Sequence, residues 1–237
     1  MRLDKYLADC GAGTRSEIKK WIRQGLVQVE GMENPKPETQ VDPKTAVVTF
    51  QGERLTHREF IYLLLNKPAG YISATWDAKL PTVLDLVPEE YLHFEPFPVG
   101  RLDIDTEGLC LLTNDGQLAH RLLSPAKHIP KTYRATVAGR VTEADAKAFL
   151  EGVVLDDGYK TKPAVLTIVS SGDVSEIALV ITEGKFHQVK RMFEAVGKRV
   201  LALKRTAMNR LLLPEDMEPG EIRELTFEEM ERLEQGE

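Results

Sequence analysis

The chain has 237 residues, 42% hydrophobic and 29% charged, with a formal net charge of −6, which suits a globular protein of one large or two smaller domains. Its longest apolar runs, such as residues 61–65, are far too short to span a bilayer, and the charged N-terminus lacks the apolar stretch of a secretory signal. The two cysteines, Cys10 and Cys110, lie in no CxxC or Cys/His cluster, which argues against zinc and disulfides and for a reducing cytoplasm.

Residues 1–30 read as helix, turn, helix, strand. Leu3, Tyr6 and Leu7 have helical spacing, and Gly11 and Gly13 end that run. Thr14 followed by Glu17 is a capping box that opens a second helix. Ile18, Trp21 and Ile22 form its apolar stripe and Gly25 stops it, leaving Arg15, Lys19, Lys20 and Arg23 off the stripe. "LVQVEG" then alternates as a strand, residues 34–43 form a loop, and "AVVTFQG" adds a further strand. This basic helical face resembles the S4 RNA-binding domain, and the resemblance covers residues 1–58.

A second domain is expected over 59–237. "FIYLLLNKP" reads as a buried strand ended by Pro68, "TVLDLVP" as a short helix or turn, and "GLCLLTNDG" as a strand entering a turn. "GQLAHRLLSP", "TEADAKAFLEG" and "HQVKRMFEAVG" read as helices. "KTYRATVAG", "AVLTIVSS", "EIALVITEG" and residues 199–214 read as strands. Strands interleaved with a few helices, without strict βαβ repeats, predict an α+β fold with a mixed, mostly antiparallel sheet.

Charge is unevenly spread. Residues 214–237 hold ten acidic and two basic side chains, residues 183–210 eight basic and two acidic, and residues 1–25 six basic and three acidic. The two positive regions suit a phosphate backbone. The acidic tail is read as a capping helix that limits non-specific RNA binding.

The stretch "GRLDIDTEGLCLLTNDG" (100–116) imitates a calcium loop, with Asp103, Asp105, Glu107 and Gly108 in near-template positions. The twelfth position is Asn114 rather than the bidentate Glu, and "LCLLT" occupies the second half as a strand, so a metal site is not expected. What remains is "GRLD". In an extended segment Arg101 and Asp103 point to the same side, and a carboxylate beside a cation stays ionised and positioned, as a nucleophile requires.

"GRLDIDTEGLCLLTNDG" closely resembles the aspartate motif of the RsuA family of RNA pseudouridine synthases, and the resemblance continues through "LLNKPAGY" (64–71), "KTYRATV" (131–137) and "EGKFHQVKRMF" (183–193). With the S4-like N-terminus it covers essentially the whole chain. Carried over position by position, it implies a catalytic carboxylate at Asp103, its aromatic partner at Tyr133 and its basic partner at Lys190. Many relatives in the wider superfamily have arginine at that last position, and lysine keeps the charge without the two-pronged fork. It gives no role to Asp105, Glu107 or Asp115.

Helix geometry agrees with the placement of Lys190. Val189, Met192, Phe193 and Val196 form one stripe; Lys190 lies about 100° from Val189 at its margin, and Arg191 about 200° away, facing solvent or RNA. Lys185 and Arg191 join Arg15, Lys19, Lys20 and Arg23 as expected RNA contacts. The lone histidines His120 and His187 are read as structural or RNA-facing.

The reaction implied breaks the uracil N1–C1′ bond, turns the base and joins C5 to C1′, with no redox step and no imported group, so no cofactor is expected. The expected partner is ribosomal RNA or the assembling small subunit, with the enzyme a monomer. The compact C-terminus resembles the small-subunit branch, implying uridine 516 of 16S RNA. A 23S-modifying relative, or a non-catalytic ribosome-associated RNA-binding protein, is the alternative.

Overall fold

The computed structural model describes residues 1–235. The chain divides into two compact units. The first comprises Met1–Ile61 with Pro88–Pro96, and the second Tyr62–Val87 with the chain from Phe97 onward.

In the first unit, α1 (Leu3–Asp9) and α2 (Arg15–Arg23) pack on a three-stranded antiparallel sheet of β1 (Val27–Val29), β2 (Val48–Phe50) and β3 (Glu53–Leu55). Leu3, Tyr6, Leu7, Ile18, Ile22, Val27, Val29, Val41 and Val48 form its core. The Thr14 hydroxyl accepts from Glu17 N–H, and Thr14 N–H donates to the Glu17 carboxylate at 2.9 Å, so the predicted capping box opens α2. Trp21 packs on Phe50 with ring centroids 4.8 Å apart. The short helix α3 (Glu89–Leu92), in a segment the sequence placed with the second domain, belongs to this unit. The His93 imidazole covers Gly11 so closely that a Cβ there would lie 2.7 Å from the ring.

The second unit is built on one nine-stranded mixed sheet. In chain order its elements are β4 (Tyr62–Lys67), β5 (Phe97–Pro98), β6 (Glu107–Thr113), α4 (Gly116–Leu123), β7 (Lys131–Ala138), α5 (Glu143–Glu151), β8 (Val165–Ser170), β9 (Val174–Ile181), α6 (Gln188–Ala195), β10 (Arg199–Met208), β11 (Leu211–Leu212), β12 (Ile222–Glu224) and α7 (Phe227–Glu234). The main path is β12-β4-β6-β10-β7-β9-β8, with β5 paired to β6 and β11 to β10. Only β6 and β10 run parallel among the described pairs, through Lys204↔Glu107 and Arg205↔Gly108. After its first residue β6 is buried throughout, as a strand covered on both faces should be. On one face Leu64, Leu109, Leu111, Leu118, Leu122 and Met208 form the core.

Gly108 is where β6 meets β10. Its φ is 98°, and a Cβ would lie 2.2 Å from the Arg205 carbonyl oxygen, so no other residue fits. The acidic tail forms the expected helix, α7, opened by a capping box at Thr226. It is part of the fold: β12 extends the sheet beside β4, and α7 buries Leu233 completely in the core.

Candidate active site

Asp103 sits in the loop between β5 and β6, in a turn closed by Thr106 N–H donating to the Asp103 carbonyl at 3.1 Å. Residues 67–73 hold this turn from below. Lys67, the last residue of β4, is fully buried. Its ammonium donates to the carbonyls of Pro68 at 3.1 Å, Asp103 at 3.2 Å, Ile104 at 3.4 Å and Thr106 at 2.8 Å. Burial lowers its pKa, while the neighbouring carboxylates, Asp105 and Asp103 among them, work the other way. Gly70 N–H donates to the Ile104 carbonyl at 2.7 Å. The Ser73 hydroxyl accepts from Leu102 N–H at 2.9 Å and donates to the Leu102 carbonyl at 3.0 Å. "NKPAGYIS" therefore acts as a cradle for the backbone on both sides of Asp103.

The predicted Arg101–Asp103 pair does not form. Gly100 turns the chain with a φ of 80° just before Arg101, and residues 101–103 belong to no strand. Arg101 is exposed at the rim of the cleft, without an ion pair among the described residues. The nitrogen-bearing side chains facing Asp103 come from the 187–190 segment instead. Lys190 Nζ lies 3.3 Å from Asp103 Oδ2, and His187 Nε2 lies 3.6 Å from Asp103 Oδ1. Lys190 also donates to Asp105 Oδ1, at 2.5 Å. Burial disfavours the charged lysine, but the hydrogen bond to Asp105 and the charge of Asp103 outweigh it and raise its pKa. That same hydrogen bond holds the Asp105 carboxyl below its usual value.

α6 delivers Lys190 as its periodicity predicts. Val189, Met192 and Phe193 are buried, and Lys190 emerges at the margin, half-buried. His187 begins the helix in a left-handed conformation with φ 48°. Arg191 does not project freely, because its guanidinium is clasped by Asp156 and Asp157, leaving its side chain 14% exposed. Lys198 is paired with Asp145 at 2.7 Å, and Arg205 is 2% exposed. Much of the basic run 183–210 is thus neutralised or interior. Lys185 is exposed, with its ammonium 4.5 Å from the Tyr159 ring centroid. Arg15, Lys19, Lys20 and Arg23 are exposed along α2.

Tyr133 is buried in β7 and lines the cleft with Leu102, Asp103, Ile181, Val189 and Leu203. Arg205 stands opposite it in the β7–β10 register and donates to the Leu109 carbonyl at 2.8 Å, with its Nη2 unpartnered. Nearby Lys131 is also buried, which pushes its pKa down to about 8. The sequence reading passed over Lys67, Ser73 and Arg205, gave no role to Asp105, and took His187 as structural or RNA-facing. Only Lys67 left a local signal, a charged residue closing a mostly apolar strand.

The cleft offers an anchored carboxylate flanked by a lysine and a histidine, with an aromatic ring in its wall. No helix of the described residues is long and apolar enough to cross a membrane. The family described as RNA pseudouridylate synthase matches residues 61–195, and the S4 domain matches residues 1–46. The uncharacterized RNA pseudouridine synthase YtzG of Bacillus subtilis (strain 168) is 50% identical over 234 residues, spanning 98% of each chain. Ribosomal small subunit pseudouridine synthase A of Haemophilus influenzae (strain ATCC 51907 / DSM 11121 / KW20 / Rd) is 40% identical, spanning 98% of this chain and 99% of its own. A crystal structure of a pseudouridylate synthase superposes with a TM-score of 0.69 at 39% identity, covering 98% and 99% of the two chains.

The chain therefore belongs to the RNA pseudouridylate synthase family, with an S4 domain at its N-terminus. It is an RNA pseudouridine synthase of the RsuA type, an isomerase acting on uridine in RNA.

Proposed function

We propose that this enzyme converts one uridine of small-subunit ribosomal RNA, uridine 516 of 16S RNA, to pseudouridine, with Asp103 as the essential carboxylate. The observation that carries the reading is the placement of the Asp103 carboxylate, pinned through its backbone by Lys67 and faced by Lys190 at 3.3 Å. The small-subunit assignment draws on the relatives' names, among them that of the Haemophilus protein.

In this mechanism the target uridine leaves its stack and enters the cleft, which costs a few kcal/mol. Asp103 acts as the nucleophile at C1′ or as the base that removes the C2′ proton. The N1–C1′ bond breaks with its electrons going to the uracil, the base turns, and C5 bonds to C1′ as the Asp103–C1′ bond breaks or, in the second route, as Asp103 returns the proton to C2′. The C5 proton then leaves to solvent, with Tyr133 stacked on the base and its hydroxyl positioned for that transfer. Lys190 keeps Asp103 ionised and oriented. Residues 1–58 serve as the RNA-binding module through Arg15, Lys19, Lys20 and Arg23, and 59–237 as the catalytic domain. Binding through that module offsets the cost of extrusion.

Tritium release from RNA labelled at uridine C5 tests the role of Asp103. Asp103→Asn is expected to abolish release while RNA binding persists, and robust turnover by that variant would refute the assignment. Pseudouridine mapping in a strain lacking the gene tests the substrate. Loss of a 23S site with 16S RNA intact would overturn the small-subunit reading.

A further inference from the structure

Phe186 stands at the edge of the cleft with 69% of its surface exposed. Single exposed apolar side chains are common and need no explanation by themselves. This one is unusual in how firmly it is presented. Its ring stacks on His187 with centroids 3.7 Å apart and planes 19° from parallel, and His187 Nε2 faces Asp103 at 3.6 Å. The loop behind it is clamped. Lys185 N–H donates to Gln188 Oε1 at 2.8 Å, and Gln188 Nε2 donates to the Glu183 carboxylate at 2.7 Å. Arg191, itself held by Asp156, donates to the Phe186 carbonyl at 3.4 Å. The left-handed backbone at His187 turns the chain from this loop into α6.

We propose that Phe186 is a stacking platform for the nucleobase that flanks the target uridine, and that it replaces the stacking this base loses when the uridine is extruded. The inner face of the ring is taken by His187, and the outer face is open to RNA. The order base, Phe186, His187, Asp103 sets the flanking base at the lip of the cleft while the target uridine descends beside it. Every base has a π-face, so the platform stabilises the extruded state for any flanking base. The inference rests on the Asp103 cleft being the place of reaction.

The test uses the full-length enzyme and a ribosomal RNA fragment that the wild type converts, with 2-aminopurine placed next to the target uridine. Wild-type enzyme is expected to quench the 2-aminopurine on binding. Phe186→Ala is expected to lose the quench and raise KM about tenfold with little change in kcat, within the range for one base stacked on an aromatic ring. Phe186→Trp should restore both readouts, and Phe186→Leu, of similar bulk but without a π-face, should not. Unchanged KM and unchanged quenching in Phe186→Ala would overturn the proposal. Measuring the quench in Asp103→Asn separates the two readings: activity in that variant refutes Asp103, whereas absence of a Phe186-dependent quench refutes the platform alone.

Discussion

Lys190 Nζ is closer to Asp105, at 2.5 Å, than to Asp103, at 3.3 Å, so one ammonium is shared by two carboxylates. Asp105 is 66% exposed, which limits the worth of its ion pair to about 1 kcal/mol. Its effect on Asp103 runs through the position of the lysine. Asp105→Asn is expected to lower kcat about fivefold with KM nearly unchanged. In a Lys190→Met background the same substitution should have no further effect, because neighbours acting through one group are non-additive. An equal loss in both backgrounds would mean that Asp105 acts independently of Lys190.

Lys67 holds four carbonyls around the Asp103 turn. Lys67→Met leaves buried acceptors without a donor, for about 2 kcal/mol of stability by urea unfolding. Turnover should fall by more than the lost folded fraction explains, because the turn that aims Asp103 loosens. Full activity per folded molecule would show that the turn holds itself.

Gly108→Ala tests the closest approach in the sheet. The added methyl would meet the Arg205 carbonyl oxygen at 2.2 Å, at a φ of 98°. Both strain and overlap act, and a loss on the order of 4 kcal/mol is expected. A melting temperature within a few degrees of wild type would contradict the parallel β6–β10 register.

The tail carries a pH-dependent contribution. Arg223 holds Glu229 with two hydrogen bonds, of 2.8 and 2.7 Å, and draws its pKa from 4.5 down to about 2. A carboxyl whose pKa is depressed on folding stabilises above its unfolded value, and that stabilisation is lost as pH falls from 4.5 toward 2. Glu229→Gln is expected to cost about 2 kcal/mol at neutral pH, with the difference from wild type shrinking through that acid window. A constant difference across the window would remove the ion pair as its cause.

What the sequence made legible was local. The Thr14–Glu17 cap, the stripe of Ile18 and Ile22, and the margin position of Lys190 each depend on residues a few places apart. The Asp103 surroundings depend on distant segments. The carbonyls around Lys67 come mostly from residues 103–106, and the carboxylates that occupy Arg191 come from 156 and 157. Counting charges over 183–210 overstated the basic surface for the same reason, since Lys190, Arg191 and Lys198 are consumed by acids elsewhere in the chain. The Arg101–Asp103 expectation failed because the partners of Asp103, Lys190 and His187, come from a segment more than eighty residues away.

The parallel pairing of β6 with β10 also sets a timetable. Asp103 lies just before the first of these strands and Lys190 just before the second, nearly ninety positions later, so no hairpin can bring them together. During synthesis, β4 and β6 can pair while half the chain is still unmade, but the end of β6 nearest Asp103 waits for β10. Closing so long a loop is slow, and until it closes a strand edge stands open. A nascent chain that stalls before residue 190 would therefore hold Asp103 without Lys190.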